Sequence, residues 1–179
     1  MSETHDFGVF AVRAFDVIGD DGKTARFKTL LCPDWVNAIV FTTDGKLALV
    51  RQYRHGIGDY TVEFPGGIAE KNNSPLDDAK LEVLEETGFV SENWQLAGRY
   101  RPNPALQNNW CYTYVCHSAY RSDTHPESGC ELILASALTF RAEWKQLLLQ
   151  HSLMTTSMIL ALQMQGDSHV QNLCNLFFG

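Results

Sequence analysis

The chain is expected to fold as one mixed α/β sandwich rather than a doubly wound parallel sheet. Three observations lead there. Short extended runs occupy most of residues 7–64, a helix with clear start and stop signals follows near 75–87, and helical periodicity returns only from Ala142. No internal repeat, low-complexity tract or linker divides the 179 residues, so residues 1–179 are read as a single domain.

From Phe10 to Ile18 and from Thr24 to Leu31 the pattern is extended, around a Gly-Asp-Asp-Gly turn, which predicts a hairpin within residues 1–34. Val36–Phe41 and Leu47–Gln52 flank Asp44-Gly45, a dipeptide suited to a tight turn between antiparallel strands. Tyr60–Phe64 is a further strand, stopped by Pro65 and by Gly66 and Gly67, which can take backbone angles closed to other residues. A loop from Gly67 to Asn73 then leads into the helix. Ser74 is its N-cap, Pro75 suits the first helical position, Asp77 completes a capping box, and Gly88 stands at the C-terminal cap.

Strands are expected over Trp94–Tyr100, Trp110–Ser118 and Glu131–Ala135, and the loops 101–109 and 120–129 between them are candidates for function. Beyond Ala142, Trp144, Leu147, Leu148, Leu153, Met158, Ile159, Leu160 and Leu162 repeat with helical spacing. The apolar end, Leu173 to Phe178, needs covering by its own domain or by a second subunit.

Composition narrows the function. Hydrophobic residues make up 45% and charged residues 20%, ordinary values for a globular protein. The formal charge of −7, from 14 basic and 21 acidic side chains, argues against electrostatic binding of a nucleic acid. Neither a signal peptide nor an apolar membrane span is evident. Cys32, Cys111, Cys116, Cys130 and Cys174 have no metal-ligand or paired spacing, which is consistent with reduced thiols in a cytoplasmic protein.

The helix carries the chemistry. At about 100° per residue, Leu76, Ala79, Val83 and Leu84 form a buried stripe, while Asp78, Glu82, Glu85 and Glu86 form a separate acidic arc. Carboxylates three and four residues apart repel, and in the last turn the helix dipole opposes them too. Such an arc is either a solvated helix face or a site for a hard divalent cation, which takes oxygen ligands and bridges to phosphate.

The spacing from Gly66 to Phe89 resembles the Nudix box of the Nudix hydrolase family: Gly, five residues, Glu, seven residues, then Arg-Glu-aliphatic-x-Glu-Glu-x-Gly-aliphatic. Gly67, Glu82, Val83, Glu85, Glu86 and Gly88 match, and Phe89 supplies the apolar ending. Two positions depart: Asn73 stands for the loop Glu and Leu81 for the Arg that orients the box carboxylates. With Gln52–His55 and Glu63–Gly67, the chain looks most like the ADP-ribose and nucleoside-diphosphate-sugar pyrophosphatase branch.

That resemblance implies a Nudix α/β/α sandwich with a mixed sheet, and an extra N-terminal antiparallel β-region (residues 1–34) shared across a homodimer. It also implies Mg²⁺-dependent cleavage of a nucleoside diphosphate linked to another moiety, with Mn²⁺ as a substitute. Position by position, it makes Glu82 and Glu86 metal ligands, Glu85 a further ligand or a base acting through water, and Gly66 a backbone ligand. Arg51 and Arg54 match cationic positions near the diphosphate, though edge-strand charges on a sheet explain them as well. A late-loop acid is assigned to Glu127, whereas Glu131 reads as a surface residue opening the next strand; His125 is a candidate proton carrier, with a solvated loop histidine as the competing reading. Tyr53, Tyr60 and Trp110 are candidate stacking groups, and Asn103, Gln107, Asn108 and Asn109 candidate hydrogen-bonding groups; packing and turn formation account for them equally. The competing reading is a nucleotide-sensing or protein-binding module whose catalysis is weakened at Asn73 and Leu81.

Overall fold

The computed structural model describes residues 2–123, 129–136, 152–162 and 164. A three-stranded antiparallel sheet comes first, in the order β1 (Ser2–Asp6), β2 (Ala11–Ile18), β3 (Thr24–Leu31). The β2–β3 hairpin is as expected, with Phe15 opposite Phe27. β1 was not expected from the sequence, because its five exposed polar residues show no apolar alternation.

The larger, mixed sheet contains β4 (Trp35–Thr42), β5 (Leu47–Arg54), β6 (Asp59–Glu63), β7 (Gly66–Ile68), β8 (Phe89–Val90), β9 (Asn93–Tyr100), β10 (Cys111–Arg121) and β11 (Glu131–Ala135). β4 and β10 run parallel, and the other pairings are antiparallel. Helix α1 (Pro75–Thr87) covers one face and α2 (Ser152–Leu162) the other. Val36, Ala38 and Val40 turn toward Ala79 and Val83 of α1, whereas Ile39 and Phe41 turn toward Met158 and Ala161 of α2. The strand period of two sends alternate side chains to opposite faces, so a strand covered on both sides reads as one continuous apolar run.

The Asp44-Gly45 turn forms, with Gly45 at φ 74°, but β4 and β5 pair only at Val40–Ala48 and Phe41–Leu47. They then diverge, and the chain from β6 to β7 fills the fork. β6 pairs with β5 from Val50–Glu63 to Arg54–Asp59, and β7 pairs with β4 from Trp35–Ile68 to Asn37–Gly66. Between these strands the Pro65 carbonyl accepts from Ala38 N–H at 2.9 Å. A segment expected to be loop is thus a strand, recruited by its partner rather than by its own sequence.

Gly66 and Gly67 do not use left-handed angles as the sequence suggested; neither is among the positive-φ residues. Close approach is what requires them. A Cβ on Gly66 would lie 2.2 Å from the Val36 carbonyl oxygen and 2.7 Å from Asn37 Cα, both backbone atoms that cannot step aside.

The helix boundaries match the expectation. Ser74 Oγ accepts from Asp77 N–H at 3.1 Å and donates to the Asp77 carboxylate at 2.7 Å, while Gly88, at φ 71°, donates its N–H to the Leu84 carbonyl. On the opposite face, α2 is fastened by a buried polar group: Asn37 Nδ2 donates to Ser157 Oγ at 2.9 Å, and Thr113 Oγ1 lies 3.0 Å from the same hydroxyl.

The fork makes a stability prediction. Gly66→Ala should destabilise the protein by roughly 2 to 3 kcal/mol, the usual scale of a backbone clash in a packed interior. Urea unfolding measures it, and an unchanged midpoint would show that β7 does not sit this tightly on β4.

Candidate functional site

The acidic end of α1 faces the fork. Glu86 Oε2 accepts from Gly66 N–H at 2.9 Å, and the Glu82 carboxylate rests on Gly67, where an added Cβ would lie 2.1 Å from Oε1. The two glycines form a floor on which two box carboxylates sit. Glu85 lies in the same turn, partly buried, and no basic residue occupies that turn to offset the three.

Burial raises the Glu86 carboxyl above its usual range, opposed by the Gly66 N–H, the Cys130 thiol and the nearby Arg54 charge. Cys130 Sγ donates to Glu86 Oε1 at 3.5 Å, and its own pKa is pushed up to about 11 by burial and the neighbouring carboxylate. It therefore stands as a protonated thiol. Arg54 forms a two-point ion pair with Glu63, Nε to Oε1 at 2.7 Å and Nη2 to Oε2 at 2.5 Å. Glu63 also accepts from the Thr61 hydroxyl.

A cavity of about 320 Å³ opens at the fork, lined by the apolar side chains of Trp35, Phe64 and Leu153 together with Asn37, Arg54, Glu63 and Gly66. The loop leading into α1 is pinned by Asp78. Its buried carboxylate accepts from Glu70 N–H at 2.9 Å and from Asn73 Nδ2 at 2.7 Å, so Asp78 belongs to the interior rather than to the acidic arc. Asn73, at one altered box position, thus holds the loop. Leu81, at the other, is 45% exposed.

Of the residues singled out in the sequence, Gly66, Glu82, Glu86 and Arg54 come together, with Glu85 beside them. Arg51 does not join the group. It lies on the other face of β5, 3.1 Å from Glu131 and stacked over the Tyr60 ring at 4.1 Å, a charge on the sheet surface but on a strand flanked by β11 and β6 rather than on an edge. Glu131 is occupied in that pair. Glu127 and His125 lie outside the described residues, as does Cys174. The Arg99 and Arg101 guanidinium groups both lie over the Trp110 ring, and Asn108 Oδ1 accepts from Cys32 N–H, so both help tie the 101–109 loop to its surroundings. Sequence reasoning missed Glu63 and Cys130 as neighbours of Arg54 and Glu86.

Hard oxygen donors are the right type for a divalent cation of the Mg²⁺ or Mn²⁺ class. The glycine floor, with no room for a Cβ under Glu82, fits carboxylates that must be held close to one backbone segment. In this conformation no three acidic, His or Cys side chains among the described residues stand close enough together to enclose an ion.

Comparison with known proteins agrees with this architecture. The chain is 29% identical over 107 residues to the methanol dehydrogenase activator of Bacillus methanolicus, spanning 60% of this chain and 58% of that one. It is 24% identical over 112 residues to the ADP-ribose pyrophosphatase of Bacillus subtilis (strain 168), 60% of each chain. It therefore spans about 60% of the length of these curated relatives. The crystal structure of an ADP compounds hydrolase superposes with a TM-score of 0.79 at 18% identity, over 93% of this chain and 94% of the other, a likeness of fold. A family model described as the NUDIX domain matches residues 33–150, from the start of the large sheet past β11, and the chain belongs to that family.

Proposed function

We propose that the protein is a divalent-metal-dependent pyrophosphohydrolase that cleaves a nucleoside diphosphate linked to another moiety, of the ADP-ribose or nucleoside-diphosphate-sugar type. The observation that carries the reading is the docking of Glu82 and Glu86 on Gly67 and Gly66, beside Arg54 and at the edge of the fork cavity. The likeness to the Bacillus subtilis ADP-ribose pyrophosphatase supports the substrate class.

In this reading Glu82, Glu86 and Glu85, with the Gly66 carbonyl, hold Mg²⁺, and Mn²⁺ can replace it. An ion bound there would supply Lewis-acid polarisation of a phosphoryl oxygen and a lowered pKa for water. The residues do the rest. Glu85 accepts the proton of the attacking water, with Glu127 as a second acid–base group, and Arg54 binds a non-bridging diphosphate oxygen. Arg51, on the opposite face, supports the sheet.

The protein is further proposed to act as a homodimer through residues 1–34. In support, the small sheet and its turns leave the large apolar side chains of Phe7, Val9, Val17, Ile18 and Phe27 exposed. The free thiols of Cys32, Cys111, Cys116 and Cys130 support a reducing cytoplasmic setting. No helix among the described residues is long and apolar enough to cross a membrane.

A panel of ADP-ribose, nucleoside-diphosphate sugars, dinucleoside polyphosphates and nucleotides, assayed with Mg²⁺ or Mn²⁺, tests the activity. Two phosphate-bearing products are expected from at least one diphosphate. Glu82→Gln and Glu86→Gln should each lower kcat/KM by roughly two orders of magnitude while the protein stays folded. Unchanged turnover in both variants removes the site. Binding without turnover across the panel would favour the nucleotide-sensing module, to which the exposed Leu81 at the orienting position also points.

The dimer has its own measurement. Light scattering should give twice the 20.1 kDa chain mass, and Ile18→Asp with Phe27→Asp should halve it. A monomeric parent chain contradicts the shared β-region.

A further inference from the structure

Glu63 closes β6 with only 4% of its surface exposed, where a carboxylate needs both counter-charge and hydrogen bonds. It has both. The β5–β6 register puts Glu63, Thr61 and Arg54 on one face of the sheet, and the Arg54 side chain runs back past Thr61 to reach Glu63.

The pairing engages a particular edge of the guanidinium. Nε and Nη2 are taken by the two Glu63 oxygens, so Nη1 and the second Nη2 hydrogen form the edge left over. That remaining fork has the geometry that suits a phosphate oxygen pair. Arg54 and Glu63 both line the fork cavity, and the Arg54 charge is felt at Glu86.

We propose that Glu63 is a positioning residue: with Thr61 it locks the Nε–Nη2 edge of Arg54, so that the remaining Nη1–Nη2 edge is presented to the diphosphate beside Glu86. This rests on the reading of Arg54 as a diphosphate ligand.

Simple electrostatics and positioning predict opposite signs for one substitution. Removing a negative charge beside an anion site should tighten anion binding if charge alone matters, whereas loss of the lock should weaken it. The test is calorimetric binding of ADP, together with KM and kcat for ADP-ribose with Mg²⁺, for the parent chain, Glu63→Gln, Thr61→Val, Arg54→Ala and the Glu63→Gln/Arg54→Ala double variant. Glu63→Gln should raise the ADP Kd and the ADP-ribose KM about tenfold, with a much smaller change in kcat, and the double variant should be no worse than Arg54→Ala. Thr61→Val keeps the carboxylate and should weaken ADP binding less, in the same direction, which provides the comparison if Glu63→Gln does not fold. Unchanged or tighter ADP binding in the folded variants, additive losses in the double variant, or a parent chain that does not bind ADP would overturn the proposal. ADP binding is read without turnover, so a parent chain that binds ADP and hydrolyses nothing contradicts the enzyme reading while the comparison of variants still decides the role of Glu63.

Discussion

The approach of Gly66 and Gly67 to their neighbours is the constraint on which the rest depends. On one side Gly66 lies so close to Val36 and Asn37 that no side chain fits. On the other, the same two residues receive Glu86 and Glu82 from the end of α1. Glycine therefore sets how closely β7 lies on β4 and leaves space above Gly67 for the Glu82 carboxylate, at the point where the acidic end of α1 meets the fork. Elsewhere along α1, Ala79 and Val83 supply ordinary apolar packing on Val36, Ala38 and Val40. A small residue and a β-branched one in the contact stripe let the helix lie near the strands, and the polar end follows.

Charge in the fork is balanced by hydrogen bonds and not by a simple excess of cations. Glu86 is partly desolvated, which opposes its ionisation, and the Gly66 N–H, Cys130 and Arg54 offset that cost. Arg54 is itself held by Glu63, which Thr61 supports. Removing any one member leaves another polar group in a poor environment, so the group behaves as a unit. Asp78 has a similar role near the start of the helix, where its buried carboxylate fixes the loop between β7 and α1 through Glu70 and Asn73.

The sequence was legible where structure is decided locally. Ser74, Pro75 and Gly88 act within a few residues of their own positions, and α1 runs from Pro75 to Thr87 as they predict. The β7 strand was not legible, because Gly66–Ile68 has no alternation and becomes a strand only by pairing with Trp35–Asn37. β1 is hidden for a related reason: all five residues are exposed, so nothing in their polarity marks a face. For the candidate site, the box spacing identified the acidic helix, but the Glu63–Arg54 pair depends on the β5–β6 register. One signal was present without that register. Arg51 and Arg54 are three apart on a strand, and the period of two already sends them to opposite faces.

The two glycines also separate fold from site, since a Cβ on Gly67 meets the movable end of the Glu82 side chain rather than backbone. The most direct measurement is the Mn²⁺ affinity of Gly67→Ala against the parent chain, followed by electron paramagnetic resonance, with thermal unfolding as the control. If the glycine floor positions Glu82 for a cation, Mn²⁺ affinity falls by about tenfold or more while the unfolding temperature changes little. Equal Mn²⁺ affinity in the two folded proteins would contradict the account.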